Sequence, residues 1–307
     1  MTVRILTGDC TARLRDLEPQ SVQCVVTSPP YFGLRDYGQD GQIGLEETPV
    51  AYIDKLVSVF REVRRVLRDD GTVWLNIGDS YAANRGYQVS DSKHKSHEFG
   101  RGNAGKVAPG YKPKDLYMIP ARVALALQAD GWYLRSDIIW SKPNPMPESV
   151  TDRPTSAHEH VFLLTKSARY FYDSEAVKEP AKEWPGHTSK KQGEFGGKGA
   201  TPGTGHSAFR AITDTRNLRN VWEISSQPYP GAHFAVFPPA LPERCIRAGS
   251  REGDTILDPF GGAGTTGLVA DRLKRDALLI ELSPDYAEQA RGRIAAEAGM
   301  FASVEVA

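Results

Sequence analysis

The chain reads as an α/β protein built on a doubly wound, mostly parallel sheet of seven strands, and three observations predict it. Short β-branched and aliphatic runs alternate with amphipathic stretches of helical period, the order that lays helices on both faces of a parallel sheet. Two of the strand-like runs stop abruptly in turn residues, Thr27-Ser28-Pro29-Pro30-Tyr31 and Asp258-Pro-Phe-Gly-Gly-Ala-Gly-Thr-Thr266. The 307 residues, 40% of them hydrophobic, suffice for one large core with insertions rather than two full domains.

The elements follow in order. A strand at 4–6, a short helix at 11–17 and a strand at 22–26 open the chain, and the last runs straight into the first turn. Apolar residues at Ile53, Leu56, Val57, Phe60, Val63 and Leu67 recur at i, i+3 and i+4, which predicts a helix over 51–67 entered through Thr48 as cap and Pro49 as first turn. Asp70-Gly71 reads as a turn into a strand at 72–77. A second unit has a helix from Ile119-Pro120 to about Asp130-Gly131 and a strand at 133–140, followed by a strand at 160–165. After a polar stretch come a helix at 239–248, a strand at 255–257, the Gly-rich turn, a helix to Leu273, a strand at 277–281 and a helix from Pro284. In a sheet of this kind ligands bind at the carboxyl ends of the strands.

Formal net charge is zero, yet the charge is unevenly placed. Residues 84–114 carry seven Lys or Arg against two acids, and residues 178–219 carry eight against four. Both stretches are rich in Gly, Ser and His and poor in apolar period, so they read as loops or insertions on a more acidic scaffold. Composition alone leaves them either as solvated loops or as a nucleic-acid footprint. Cys10, Cys24 and Cys245 are scattered and odd in number, which suits a reducing compartment and argues for neither a disulfide framework nor a zinc site. His158 and His160 lack further ligands nearby, and no metal is expected. No run approaches the roughly 18 apolar residues of a membrane span, and the opening MTVRILTGDC lacks the blocks of a signal peptide, so a cytoplasmic location is expected.

The two turns carry the chemistry. In the second, glycines permit close backbone approach to a ligand, and the N–H groups of the following helix favour an anionic group. Glu281 ends the next predicted strand 23 residues after Asp258, about the spacing at which an acid accepts hydrogen bonds from ribose hydroxyls. The arrangement points to a nucleoside ligand; a purely structural turn is the alternative. In the first turn the prolines hold the Pro29 carbonyl in a fixed direction as an acceptor, suited to an amino group, and Tyr31 offers a flat face on which a base could stack. Without further context a strand terminator is the competing explanation.

Taken together, Ser28-Pro-Pro-Tyr31 and Asp258-Pro-Phe-Gly-Gly-Ala-Gly-Thr-Thr266 resemble the DNA amino-methyltransferases that act on N4 of cytosine or N6 of adenine, in the permuted, beta-type order where the catalytic motif precedes the cofactor motif. The resemblance covers most of the chain outside the two basic stretches. The segment from His233 through Phe-Ala-Val-Phe-Pro-Pro-Ala to Leu241 is similar to the family's segment over the methionine end of the cofactor, and Gly8-Asp9 to its early acidic position near the adenine. Gly71-Thr-Val-Trp-Leu-Asn-Ile-Gly78 and Ile138-Ile-Trp-Ser-Lys-Pro-Asn144 resemble internal strand motifs to which no catalytic role is carried over. Ala263 stands where the family often has Ser, a small-for-small exchange.

The resemblance implies a Rossmann-like S-adenosylmethionine-dependent methyltransferase fold, with residues 1–167 as the catalytic half, 168–232 as the target-recognition region and 233–307 as the cofactor half. It assigns Ser28, Pro29, Pro30 and Tyr31 to catalysis. Asp9, Cys10, His233, Asp258, Phe260, Gly262, Gly264, Thr265, Thr266 and Glu281 go to S-adenosyl-L-methionine. Lys190, Lys191, Lys198, Arg210, Arg216 and Arg219 are the expected DNA contacts, with 84–114 as a second loop on double-stranded DNA. The implied reaction is direct transfer to the amino nitrogen of a flipped base. Ser at the first motif position is commoner in cytosine-N4 enzymes and Asp in adenine-N6 enzymes, so N4 is the first expectation and N6 the second. A cognate restriction endonuclease and a monomer or homodimer are further expectations. No cysteine follows a proline, which argues against cytosine-C5 chemistry. Glutamine and RNA amino-methyltransferases share an Asn-Pro-Pro-Tyr-like turn, but Ser28 and the motif order count against them. A non-catalytic binding module would not need both turns intact.

Overall fold

The structure, a computed structural model, describes residues 1–82, 107–181, 214–227, 236–297 and 303–307. Thr2–Thr7 (β1) leads into Cys10–Arg15 (α1), where the Asp9 carboxylate accepts the Ala12 N–H at 2.9 Å and so satisfies one of the free donors of the first turn. Val22–Thr27 (β2) is buried along its whole length, as a strand covered on both faces must be. Pro49–Val66 (α2) begins as expected, with the Thr48 hydroxyl accepting the Ala51 N–H at 3.1 Å and Pro49 in the first turn. Its buried stripe is Tyr52, Ile53, Leu56, Val59, Phe60 and Val63.

Leu67–Ile77 (β3) differs from the expectation of a turn at Asp70-Gly71. The strand starts at Leu67, opposite Val22, and its next partners are Thr72 and Cys24, so residues 68–71 bulge opposite Gln23 alone. The turn-forming pair is absorbed as an irregularity inside the ladder. Ile119–Ala129 (α3) leads to Tyr133–Ser141 (β4), and His158–Thr165 (β5) follows. Glu179–Pro180 (β6) and Thr215–Arg216 (β7) form a small antiparallel ladder of their own, and Val221–Glu223 (β8) joins the main sheet beside β4. Ala240–Gly249 (α4), Thr255–Asp258 (β9), Thr265–Arg272 (α5), Asp276–Glu281 (β10), Pro284–Glu297 (α6) and Ser303–Val306 (β11) complete the chain.

Among the described residues the main sheet has nine strands in the order β11-β1-β10-β9-β2-β3-β5-β4-β8. The seven expected strands form its body; β11 and β8, of four and three residues, were not anticipated and add the two edges. The sheet is parallel except at β5, which pairs antiparallel with both β3 and β4. Side chains of the central strands feed two cores. Val25, Val73 and Leu75 pack with α1, α2 and α3, whereas Cys24, Val26 and Trp74 pack with α4, α5 and α6.

Strands β2 and β9 lie side by side, Cys24 against Ile256 and Val25 against Leu257. From β2 the chain passes through α2 on one face to β3; from β9 it passes through α5 on the opposite face to β10. The two connections diverge at the carboxyl ends of β2 and β9, which leaves a crevice there.

Candidate active site

Both sequence turns open into that crevice, a cavity of about 810 Å³ whose lining includes Ser28, Pro29, Pro30 and Tyr31 from one turn and Pro259, Phe260 and Gly262 from the other. Beneath it lies Asp258, buried at the end of β9 and absent from the cavity wall. Its Oδ1 accepts from the Thr27 hydroxyl at 2.6 Å and from the Phe260 N–H at 3.0 Å, and its Oδ2 from the Thr266 hydroxyl at 2.8 Å. Asp258 therefore ties the two turns together rather than facing a ligand. Burial pushes its carboxyl up to about 6 against the opposing effect of these donors. Gly264, at φ +76°, starts α5, and a Cβ there would stand 2.9 Å from Ile294 Cδ1 and 3.0 Å from Ala290 Cβ, so a larger residue would be strained. Thr265 and Thr266 are likewise buried behind the wall.

One half of the cavity is formed by Gly8, Asp9, Cys10, Phe260, Gly262, Glu281 and Tyr286. The Glu281 carboxylate is held by two backbone donors, Gly262 N–H on Oε2 and Ser283 N–H on Oε1, both at 2.9 Å. Each oxygen retains a further acceptor site, the arrangement a vicinal diol would use. Burial raises the Glu281 pKa, with the backbone donors opposing. The Cys10 thiol is pushed up to about 11 by burial and by Asp9, so it stays a neutral, apolar wall. Ile280, Leu282 and Phe260 give the same half apolar surfaces. The residue types fit S-adenosyl-L-methionine: a fixed carboxylate for the ribose and apolar walls for the purine.

The other half holds groups that sequence reasoning passed over. The Tyr31 hydroxyl donates to Glu159 Oε2 at 2.5 Å, the Asn76 Nδ2 donates to the same oxygen at 3.0 Å, and Lys142 Nζ pairs with Glu159 Oε1. Lys142 also lies 4.4 Å from the Trp140 ring centre. The Ser28 hydroxyl donates to the Tyr31 oxygen at 3.4 Å, a loose contact common before substrate is bound. Burial, then the Glu159 charge, raises the Tyr31 pKa well above the usual tyrosine range. The ring of Tyr31 fits against β3 only because residue 78 is glycine: a Cβ there would stand 2.6 Å from Cε2. Of the two proline carbonyls, that of Pro30 accepts the Tyr52 hydroxyl at 2.8 Å, whereas that of Pro29 accepts no hydrogen bond from the described residues. Asn76 and Lys142 sit in the two internal strand motifs. A polar Asn inside the apolar run Val73-Trp-Leu-Asn-Ile77 was the available signal, and Glu159 was hidden between two histidines.

The remaining expected residues fall elsewhere. Arg216 and Arg219 engage Glu179 Oε1 through their Nε atoms at 2.8 and 2.6 Å, bracing β6 against β7. His233, Lys190, Lys191, Lys198 and Arg210 lie outside the described residues, as does most of 84–114. His160 is engaged by Asp137 at 2.8 Å, with the His158 ring centre 5.4 Å away. Among the described residues no cluster of three or more His, Cys, Asp or Glu could hold a metal, and no helix is long and apolar enough to cross a membrane.

A family model of DNA methylases of the N6/N4 type matches residues 22–292. The chain belongs to this family of DNA methylases. It is therefore a DNA methyltransferase that uses S-adenosyl-L-methionine. The Type II methyltransferase M.SmaI of Serratia marcescens is 48% identical over 296 residues, covering 95% of this chain and 90% of the relative. M.Cfr9I of Citrobacter freundii, also a Type II methyltransferase, is 48% identical over 295 residues, with 94% and 87% covered. Among solved structures, a protein of Thermus thermophilus assigned as a DNA modification methylase and complexed with S-adenosyl-L-methionine superposes with a TM-score of 0.64 at 26% identity, covering 99% of this chain and 97% of that one. The cytosine-N4-specific PvuII DNA methyltransferase gives 0.65 at 21% identity over 94% and 85%, a likeness of fold.

Proposed function

We propose that this methylase modifies N4 of cytosine at a specific site in double-stranded DNA, by direct transfer to a base turned out of the helix. The observation that carries this reading is the pair of acceptors at the end of β2. Lys142 holds Glu159, Glu159 accepts the Tyr31 proton, and Tyr31 accepts the Ser28 proton, so the Ser28 oxygen presents its lone pairs to the cavity. The Pro29 carbonyl supplies the second acceptor. An aromatic amine is a weak nucleophile because its lone pair is delocalised into the ring. Hydrogen bonds from its two N–H groups to Ser28 and Pro29 favour a pyramidal nitrogen with a localised, directed lone pair. The ring of Tyr31, which lines the cavity, would stack on the base.

When bound, S-adenosyl-L-methionine supplies an electrophilic methyl group. Glu281 would accept the ribose hydroxyls, Asp9 and Cys10 would border the purine, and Phe260 and Gly262 would form the adjoining wall. Ser28 and the Pro29 carbonyl would hold the amino nitrogen toward that methyl group, and the proton the nitrogen loses on methylation would pass to water in the cavity. Ser28, in place of Asp, supports cytosine N4 over adenine N6. Residues 1–167 and 233–307 are the catalytic and cofactor halves, and 168–232 is the target-recognition region. Lys190, Lys191, Lys198 and Arg210, with Arg216 and Arg219 at its base, contact DNA, and 84–114 is a second contact loop. The Type II names of the relatives support a cognate restriction endonuclease, and a monomer or homodimer is the proposed state. Digesting methylated DNA to nucleosides tests the reading directly: N4-methylcytosine is expected, and N6-methyladenine would replace it with the adenine reaction.

A further inference from the structure

The segment joining β4 to β5 presents an apolar side chain where none is needed for the core. Met146 is 84% exposed, more than any other large hydrophobic residue among those described, and it nevertheless borders the cavity that holds Ser28 and Tyr31. Single exposed apolar residues are ordinary on protein surfaces. This one differs in its place and in the stiffness of its support. Pro143, Pro145 and Pro147 fix three backbone φ angles around it. Asn144 clamps the segment to the stretch after β8, its Nδ2 donating to the Ser226 carbonyl at 3.0 Å and its Oδ1 accepting the Ser226 N–H at 2.9 Å. The loop is closed at its base by Lys142 N–H on the Ala157 carbonyl at 2.8 Å, and across its far side by Arg153 on Glu148 at 2.7 Å. Because the loop is already braced, little backbone freedom is lost when the methionine side chain inserts between other groups.

We infer that Met146 is the wedge that enters the base stack as the target base leaves it for the cavity. Proteins that unstack DNA insert apolar side chains of this kind between base steps, and a base must leave the duplex to reach the acceptors at Ser28 and Pro29. The thioether is long and unbranched, so it can fill an irregular gap in the stack. This inference rests on the base-extrusion reading above.

The test uses the full chain, duplex DNA carrying the unmethylated target site, and 2-aminopurine placed beside the target base, whose fluorescence rises when its neighbour unstacks. Wild type should show the rise. Met146→Ala should lose most of it and slow single-turnover methylation about tenfold or more, with S-adenosyl-L-methionine affinity unchanged by calorimetry. Placing the target opposite an abasic site makes extrusion easier and should restore the variant's rate, and Met146→Leu should retain the wild-type behaviour on the paired duplex. A Met146→Ala rate equal to wild type on the paired duplex overturns the wedge. So does an equal slowing on paired and abasic-opposed duplexes, which would make the loop only a wall of the cavity. Absence of the fluorescence rise in wild type itself would instead overturn base extrusion, and the wedge with it.

Discussion

The Thr27 hydroxyl donates to the Asp258 carboxylate at 2.6 Å, joining the carboxyl ends of β2 and β9 across 231 residues of chain. The Ser28-Pro-Pro-Tyr31 turn begins one residue after Thr27, and the Gly-rich turn begins at Asp258 itself. Their relative position is thus fixed by one buried hydrogen bond and by the pairing of the two strands below it. Asp258 is the hinge pin of the site and lies outside the cavity wall.

The buried carboxyl of Asp258 makes stability depend on pH. Its folded pKa of about 6 lies above the ~3.9 of an unfolded aspartate, so the folded state binds the proton more tightly. The contribution is fully present below about pH 4 and is lost as pH rises through about 6. A displacement of about two units corresponds to about 3 kcal/mol. Asp258→Asn does not titrate, so the unfolding free energy of wild type relative to this variant should fall by about 2 to 3 kcal/mol between pH 4 and 7. Denaturant titrations across that range check it, and a difference independent of pH would show that the carboxyl ionises normally.

Ser28→Ala removes an acceptor from a nitrogen that gains positive charge, a hydrogen bond worth about 1.5 to 3 kcal/mol. Single-turnover methylation should slow roughly 10- to 100-fold, with cofactor affinity unaltered. A wild-type rate would leave the Pro29 carbonyl as the acceptor that matters.

Tyr31→Phe keeps the stacking ring and removes the link from Ser28 to Glu159. The Ser28 proton then loses its partner, so kcat should fall while the affinity for the target duplex stays near wild type. Tyr31→Ala should weaken that affinity as well, by about 1 to 3 kcal/mol. Rapid-quench and binding assays on the two variants separate orientation from stacking, and identical behaviour of both would reject the separate role of the hydroxyl.

Glu281→Ala should weaken S-adenosyl-L-methionine by about 1 to 3 kcal/mol through loss of the ribose acceptor. The variant also releases the Gly262 and Ser283 N–H groups, so Glu281→Gln, which keeps one acceptor oxygen, should bind between the two. Calorimetry reads both, and unchanged affinity in a folded Glu281→Ala protein would remove the assignment.

Deleting residues 186–208 should weaken DNA binding and flatten its dependence on salt, because Lys190, Lys191 and Lys198 are lost. The base of the insertion is closed by the Ala181 N–H on the Asp214 carbonyl at 2.9 Å and by Glu179 with Arg216. The deletion should therefore leave the sheet and cofactor affinity intact. Salt titrations of DNA affinity check this, and unchanged affinity and target sequence would move recognition to 84–114.

Local pattern was sufficient wherever a residue's role depends on its near neighbours in sequence. The period of α2, its Thr48 cap, the strand ends at Thr27 and Asp258, and the acid at the end of β10 were all legible, because side-chain period and turn chemistry act over a few residues. The two turns and Glu281 also pointed to the family and its cofactor. Tertiary structure alone decided the rest. The direction of β5, the edge strands β8 and β11, and the bulge at Asp70-Gly71 depend on which strands meet, and pairing partners lie far apart in sequence. The Asp258 carboxylate reads like a ligand group, yet the meeting of β2 and β9 turns it inward to Thr27. Tyr31, Asn76, Lys142 and Glu159 are spread over 128 residues and carry no motif as a set. They become one hydrogen-bonded chain only because β2, β3, β4 and β5 bring their ends to the same crevice, where partial burial favours pairing of these polar groups with one another.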